Sequence, residues 1–256
     1  MLRRILVPME STLAGEARLG LAISLARRYR AALTLLQVIG RPFETACETD
    51  AVLAAESAAQ TLMDRIKYEG VRAEWRCVEG AADVGLIEAK HADLTILGRL
   101  DAQSTPDVPP ESVVLSSGRP ILVLPGEGPF ETIGGRVVIA WDGSREASRA
   151  VHDALPLMNE ARLVTVLSIN APRNGHDCPP IAPLDYLRDH DIQAALEEII
   201  DPDQSIVATL LARCAELDAD LLVMGAYGHS RLREFILGGT TRGMLQDMTL
   251  PVFMSH

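Results

Sequence analysis

The sequence predicts an α/β protein built from two tandem units, each a five-stranded, mainly parallel sheet with helices on both faces. Three observations predict it. Hydrophobic residues make up 48% of the chain but aromatics only 4%, so the core is aliphatic, as suits strands covered on both faces. Short apolar runs alternate with stretches of helical spacing, the pattern of βαβ units. And four segments of the first half recur, in the same order, in the second. Arg4-Ile-Leu-Val-Pro-Met-Glu10 is answered by Arg136-Val-Val-Ile-Ala-Trp-Asp142, and Leu33–Val38 by Val164–Ile169. Ala92-Asp-Leu-Thr-Ile-Leu-Gly98 is answered by Ala219-Asp-Leu-Leu-Val-Met-Gly225, and Pro120–Leu124 by Pro251–Ser255.

The second copy is the easier to place. Arg136–Ala140 is its first strand, ended by the turn signal Asp142-Gly143-Ser144, where Ser144 or Asp142 caps the next helix. Ala147, Val151, Ala154 and Leu155 recur at helical spacing in that helix. Leu163–Ile169 is the second strand. Asp185–Asp189 is helical and leads to a more polar third strand near Gln193–Ile199, at or near an edge. Asp203-Gln-Ser205 starts a helix to Leu217 with Ile206, Leu210, Leu211 and Cys214 on one face. Leu221–Met224 and Val252–Met254 are the fourth and fifth strands, with a helix at about Thr241 to Met248 between them. Gly and Pro in Pro125–Gly135 cannot continue an element, so the units are expected at 1–126 and 135–256. The fifth strands, Ile121–Leu124 and Val252–Met254, are apolar edges that need covering.

Composition limits the partners. A formal net charge of -11 repels nucleic-acid phosphates, so neither DNA nor RNA is expected. Cys47, Cys77, Cys178 and Cys214 form no CxxC pair, which reads as reduced, mostly buried thiols and no zinc. The N-terminal apolar run is too short for a signal peptide, and no stretch approaches a membrane span. The expectation is a soluble, cytoplasmic protein.

Ligands of parallel sheets bind at the carboxyl ends of strands where strand order reverses, which directs attention to Asp142 and Gly225. After Gly225 the chain reads Ala-Tyr-Gly228-His-Ser-Arg-Leu-Arg-Glu-Phe-Ile-Leu-Gly238-Gly239-Thr240-Thr241. Glycines at 225 and 228 permit positive φ and close approach to a ligand. Gly238, Gly239 and Thr240 precede a helix whose free N–H groups and positive dipole end favour an anion. Thr240 and Thr241 add hydroxyls, with Arg231 and Arg233 nearby. The competing reading is a tight strand-to-helix connection with threonine caps.

The Gly225-x2-Gly228-x9-Gly238 spacing resembles that of the universal stress proteins, and both halves share the strand pattern and the closing Pro-Val/Ile strand. The chain therefore looks like a tandem universal stress protein. That resemblance implies two adenine-nucleotide α-hydrolase-like (Rossmann-like) domains and an ATP-binding stress-response regulator or sensor, with or without Mg. By the same resemblance Asp142 faces the ribose or adenine side, and Ala140, Ile169 and Met224 line the adenine slot. Gly225, Gly228, His229, Gly238, Gly239 and Thr240 hold the phosphates. Gly239 stands where the family has Ser or Thr, so Thr240 or Thr241 supplies the hydroxyl. The family's edge pairing further implies an intrachain pseudo-dimer, able to assemble as a homodimer, with protein partners unknown.

The first copy departs from this pattern. After Gly98 it lacks the second and third glycines, and Gly98 to Pro120 spans 22 residues against 26 for Gly225 to Pro251. Asp101 and Asp107 add negative charge, prolines remove donors, and Glu10 replaces Asp142. This copy reads as degenerate for ATP.

Other signals are weaker. There is no Walker A loop and no GxGxxG after a first strand. His229 either touches a phosphate or is a solvated loop residue. His91, His152, His176, His190 and His256 lack ligand spacing. Glu197-Glu198 and Asp201-Pro-Asp203 fit an edge strand and a helix N-cap. Trp141 either stacks on a base or packs beneath the sheet end. Pro172–Pro183 covers the second copy's site or merely connects. No catalytic or metal-ligating set is identified, so any ATP hydrolysis is expected to be slow. Two other classes stay open: an interaction scaffold without nucleotide, and an ATP pyrophosphatase, whose SGGxDS-type loop is missing from both first strands.

Overall fold

The computed structural model describes residues 2–9, 13–39, 59–79, 82–99, 108–126, 128, 130–170, 182–201, 203–228 and 239–256. The first half runs β1 (Arg4–Pro8), α1 (Leu13–Tyr29), β2 (Ala32–Ile39), helical residues 59–68 (α2) and β3 (Arg72–Glu79). It continues with α3 (Ala82–Ala89), β4 (Leu94–Gly98), α4 (Pro110–Ser116) and β5 (Ile121–Leu124). The second half runs β6 (Arg136–Ala140), α5 (Arg145–Met158), β7 (Leu163–Ile169), α6 (Ala182–Asp189) and β8 (Ala195–Ile199). It ends with α7 (Ile206–Glu216), β9 (Leu221–Gly225), α8 (Gly239–Asp247) and β10 (Val252–Ser255).

All ten strands form one sheet in the order β3-β2-β1-β4-β5-β10-β9-β6-β7-β8. Every neighbouring pair is parallel except β5 and β10, which meet antiparallel with Leu122 opposite Phe253. The apolar fifth strands thus cover each other, and β3 and β8 are left as the edges. Both edges carry charge, Arg72, Glu74 and Arg76 on one and Glu197 and Glu198 on the other, which discourages further strand pairing.

Alternating strand residues supply two cores. Ile5, Leu33, Leu122, Val137, Ile139, Val223 and Phe253 join the α1 and α5 side, with Ile66 of α2 and Leu187 of α6. Leu6, Leu36, Val123, Val138, Leu222, Met224 and Val252 join the side of α3, α4, α7 and α8. Successive side chains of a strand point to opposite faces, so the central strands, covered on both sides, are apolar along nearly their whole length.

The two halves start their first strands with the same device. Asp93 Oδ2 accepts the N–H groups of Arg3 and Arg4 at 2.7 and 2.9 Å. Asp220 accepts those of Gly134, Gly135 and Arg136 at 2.9, 2.9 and 3.1 Å. Gly134 has φ +85°, a conformation that L side chains rarely adopt.

Two details differ from the sequence expectations. In α7 the buried residues are Val207, Leu210 and Cys214, while Ile206 is exposed at the first turn. Of the cysteines, Cys214 is buried but Cys77 is exposed on the edge strand β3, where a side chain has no second sheet neighbour; Cys47 and Cys178 lie outside the described residues. Among the described residues no helix is long and apolar enough to cross a membrane.

Candidate functional site

Strand order reverses between β6 and β9, and a cleft of about 240 Å3 opens at their carboxyl ends. Its strand side is apolar: Ala140 ends β6, Leu167 and Ile169 come from β7, and Met224 from β9. Ile206 and Leu210 of α7 close one side, and Gly239, Thr240 and Thr241 at the start of α8 close another. Trp141, Asp142, Gly225, Tyr227 and Gly228 complete the lining. The cleft therefore brings together eight residues expected from the sequence in addition to Thr240: Ala140, Asp142, Ile169, Met224, Gly225, Gly228, Gly239 and Thr241. His229 and Gly238 lie outside the described residues, as do Arg231 and Arg233.

The β6–α5 turn fixes the carboxylate. Asp142 is exposed, and its Oδ1 accepts the N–H of Ser144 at 2.9 Å, an Asx turn that holds the side chain at the cleft mouth. Gly143 takes φ +76°. The cap is Ser144, whose Oγ accepts the N–H of Ala147 at 3.1 Å. Of the two residues the sequence left open, Ser144 caps and Asp142 braces the turn.

The glycines act differently from expectation. Neither Gly225 nor Gly228 has positive φ; the left-handed residue is Tyr227, at φ +55°. A Cβ on Gly225 would lie 2.5 Å from the Ala147 nitrogen and 2.7 Å from the Glu146 carbonyl carbon. Gly225 thus lets the start of α5 press onto the end of β9. A Cβ on Gly228 would meet Ser144 Oγ at 3.4 Å, whereas one on Gly239 would meet nothing within 4 Å.

Thr241 is only 3% exposed, and its Oγ1 accepts the Tyr227 N–H at 3.0 Å, tying the loop's first residues to the helix. Thr240, partly exposed one residue earlier, also lines the cleft. Near Gly228 lies Glu146, 6% exposed, with Arg145 Nε on its Oε1 at 2.5 Å. Burial pushes its carboxyl up, but the Arg145 hydrogen bond, a backbone N–H and the charges of Arg145 and His256 outweigh that and hold it below the ordinary value. The His256 ring is fixed by Nδ1, 2.8 Å from the Ala226 carbonyl oxygen.

Sequence reasoning missed Leu167, Ile206, Leu210 and Tyr227 as lining residues. Leu167 was within reach, since it shares a strand face with Ile169. The helix residues were not, because apolar periodicity reports burial without naming what is buried against it. In the first half, α4 starts at Pro110 after Pro109, so its first turn lacks N–H groups that α8 presents. Val108, 3% exposed, packs its methyls against Gly85 of α3. Among the described residues no group of three or more His, Cys, Asp or Glu could hold a metal.

A parallel sheet whose switch-point cleft is apolar on the strand side and opens on a helix N-terminus belongs to the Rossmann-like α/β class. Comparison with known proteins narrows this: residues 135–256 match the model of the universal stress protein family. A universal stress protein of Synechocystis sp. is 30% identical over 147 residues, 56% of this chain and 48% of that protein. The chain thus spans about half the length of that curated relative. A solved universal stress protein from Archaeoglobus fulgidus superposes with a TM-score of 0.75, covering 98% of this chain and 97% of that one at 16% identity. A protein of unknown function from Pseudomonas aeruginosa PAO1 gives 0.67 at 19% identity, covering 99% and 92%. At these identities the structural matches show a shared fold along the whole chain.

Proposed function

We propose that the chain is a tandem universal stress protein, with units at 1–126 and 135–256, that senses or relays stress by binding ATP in its C-terminal unit. The observation that carries this reading is the meeting, in one cleft, of an apolar slot, a braced carboxylate and a helix N-terminus. The residues present fit the ligand by chemistry. An adenine ring suits the slot of Ala140, Leu167, Ile169 and Met224, and Asp142 stands where a ribose hydroxyl would donate to it. The N–H groups at Gly239–Thr241 and the Thr240 hydroxyl suit phosphate oxygens. Thr241 contributes by holding Tyr227, which precedes Gly228 at the cleft, in place. A magnesium ion would accompany the phosphates without a dedicated protein cage. Among the described lining residues the one carboxylate or imidazole is Asp142, which is engaged by the Ser144 N–H, and this favours retention of ATP over rapid turnover. The first half, with prolines at the start of α4, serves in this reading as the structural half of an intrachain pseudo-dimer in a cytoplasmic regulator.

Mass spectrometry of the denatured, purified chain, followed by calorimetric titration with Mg-ATP, tests the proposal. Adenine nucleotide at a stoichiometry near one per chain is expected. Gly228→Leu, which places a branched side chain against Ser144 and Glu146 at the cleft, should abolish it. Absence of nucleotide together with no heat on titration would sink the reading in favour of a scaffold.

A further inference from the structure

A second cleft lies on the other side of Trp141. Its volume is about 490 Å3, within the range of small-molecule sites, and it runs between α5 and α6. Arg145, Ser148, Arg149 and His152 line it from α5, at the i, i+3, i+4, i+7 spacing of a single helix face. Pro183 and Tyr186 of α6 form the opposite wall. No acidic residue is among its described lining residues, in a chain of net charge -11.

The acids nearby hold the arginines without neutralising their open ends. Glu146 takes Arg145 through Nε, and Asp153 takes Arg149 through Nε at 2.8 Å while also accepting the Ser255 hydroxyl at 2.6 Å. Arg149 Nη2 donates to the Gly118 carbonyl at 3.2 Å. Among the described residues, neither Nη group of Arg145 nor Nη1 of Arg149 takes part in these bonds. His152 Nδ1 and Tyr186 Oη are 2.6 Å apart across the groove, and His190 packs edge-on against the Tyr186 ring at 4.7 Å. Trp141 lines both clefts, is 7% exposed, and its indole N–H is buried without a hydrogen-bond partner among the described residues. An orphaned donor in the wall between two clefts calls for an explanation.

We propose that the α5–α6 groove is a second ligand site, taking a small aryl anion: a carboxylate or phosphate held by Arg145 and Arg149, on a flat ring lying against Pro183, Tyr186 and Trp141. Guanidinium groups grip such oxyanions in pairs, and the aromatic walls supply apolar area and stacking faces. Because the site sits at the start of α5, beside Asp142, its occupant would be sensed at the nucleotide cleft through Trp141. The site itself does not depend on whether nucleotide binds.

Trp141 reports on it directly. Trp75→Phe leaves Trp141 as the single indole, and its fluorescence is followed in the full chain during titration with phenyl phosphate, benzoate and inorganic phosphate. A saturable change with an aryl anion, with a Kd of about 1 mM or tighter, is expected, and a weaker one with inorganic phosphate. The change should persist in Gly228→Leu, which blocks the other cleft. It should weaken about tenfold or more in Arg145→Gln/Arg149→Gln, corresponding to about 1.4 kcal/mol. Ser148→Phe, which fills the groove from an exposed helix position, should do the same while thermal unfolding shows an intact fold. A response lost in Gly228→Leu, or one unchanged in a folded Ser148→Phe chain, overturns the proposal. So does the absence of any saturable change up to about 20 mM, a concentration well above such a Kd.

Discussion

Glycines 225, 228 and 239 lie in one stretch of sequence, but each has different surroundings. Gly225→Ala should destabilise the chain by about 2 kcal/mol in thermal unfolding, because its Cβ position lies 2.5 Å from the Ala147 nitrogen and backbone must move. Gly239→Ala, with nothing within 4 Å, should leave stability within about 0.5 kcal/mol and keep the N–H groups of α8 in place. Thr241→Val removes the acceptor of the buried Tyr227 N–H and should cost about 1–3 kcal/mol in denaturant unfolding. Glu146 adds a pH dependence. Its folded carboxyl titrates below the ordinary 4.5, so the stability it contributes is complete above that value and is lost as pH falls through the folded one. Glu146→Gln should therefore flatten the acid limb of a stability–pH curve, and an unchanged acid limb would show that the Arg145 pairing has no such effect. The sequence marked the glycines and Thr241, but the close neighbours of Gly225 and Gly228 are Ala147, Glu146 and Ser144, more than 70 residues away, which no local spacing encodes.

Among the elements, the strand starts and the two loop-following helices carry the contrast between the halves. Asp220 accepts three backbone N–H groups and Asp93 two. Asp220→Ala should therefore cost about 2–4 kcal/mol, and more than Asp93→Ala, in urea unfolding of otherwise identical chains. The repeated Ala-Asp pair was visible in the sequence, yet its partners are the residues that open each first strand, in contact only once β4 and β9 lie beside β1 and β6. The helices were more legible. Prolines 109 and 110 announce a first turn without donors, and Gly239-Thr240-Thr241 one with them, because the N–H count is a property of residue type. Which threonine hydroxyl takes the Tyr227 N–H was not legible, since about 100° of helix rotation separates them and only packing sets the phase.

Across the whole molecule, the halves are joined by more than the β5–β10 ladder. Tyr29 Oη donates to the Pro156 carbonyl at 2.8 Å, joining α1 to α5. On the other face, Arg99 Nη1 donates to the Gln246 carbonyl at 3.2 Å, near the carboxyl end of α8, where a cation also complements the helix dipole. Phe253 is 1% exposed opposite Leu122 in the centre of the sheet. Phe253→Asp should therefore unfold β5 and β10 together, lowering the midpoint of both halves in a single transition by calorimetry; two separate transitions with the first half unaffected would show that the ladder does not couple them. The sequence by itself determined the number of strands and their succession along the chain, the recurrence of four segments between the halves, the polar edge at β8 and the donors available at α8, because these follow from residue type and period. The tertiary structure alone decided that Gly225 seats a helix, that Tyr227 takes the left-handed turn, that Ile206 and Leu210 wall the cleft, and that Trp141 divides it from an arginine-lined neighbour. Those outcomes depend on which distant side chains share a volume, and that is fixed only when the sheet brings its carboxyl ends together.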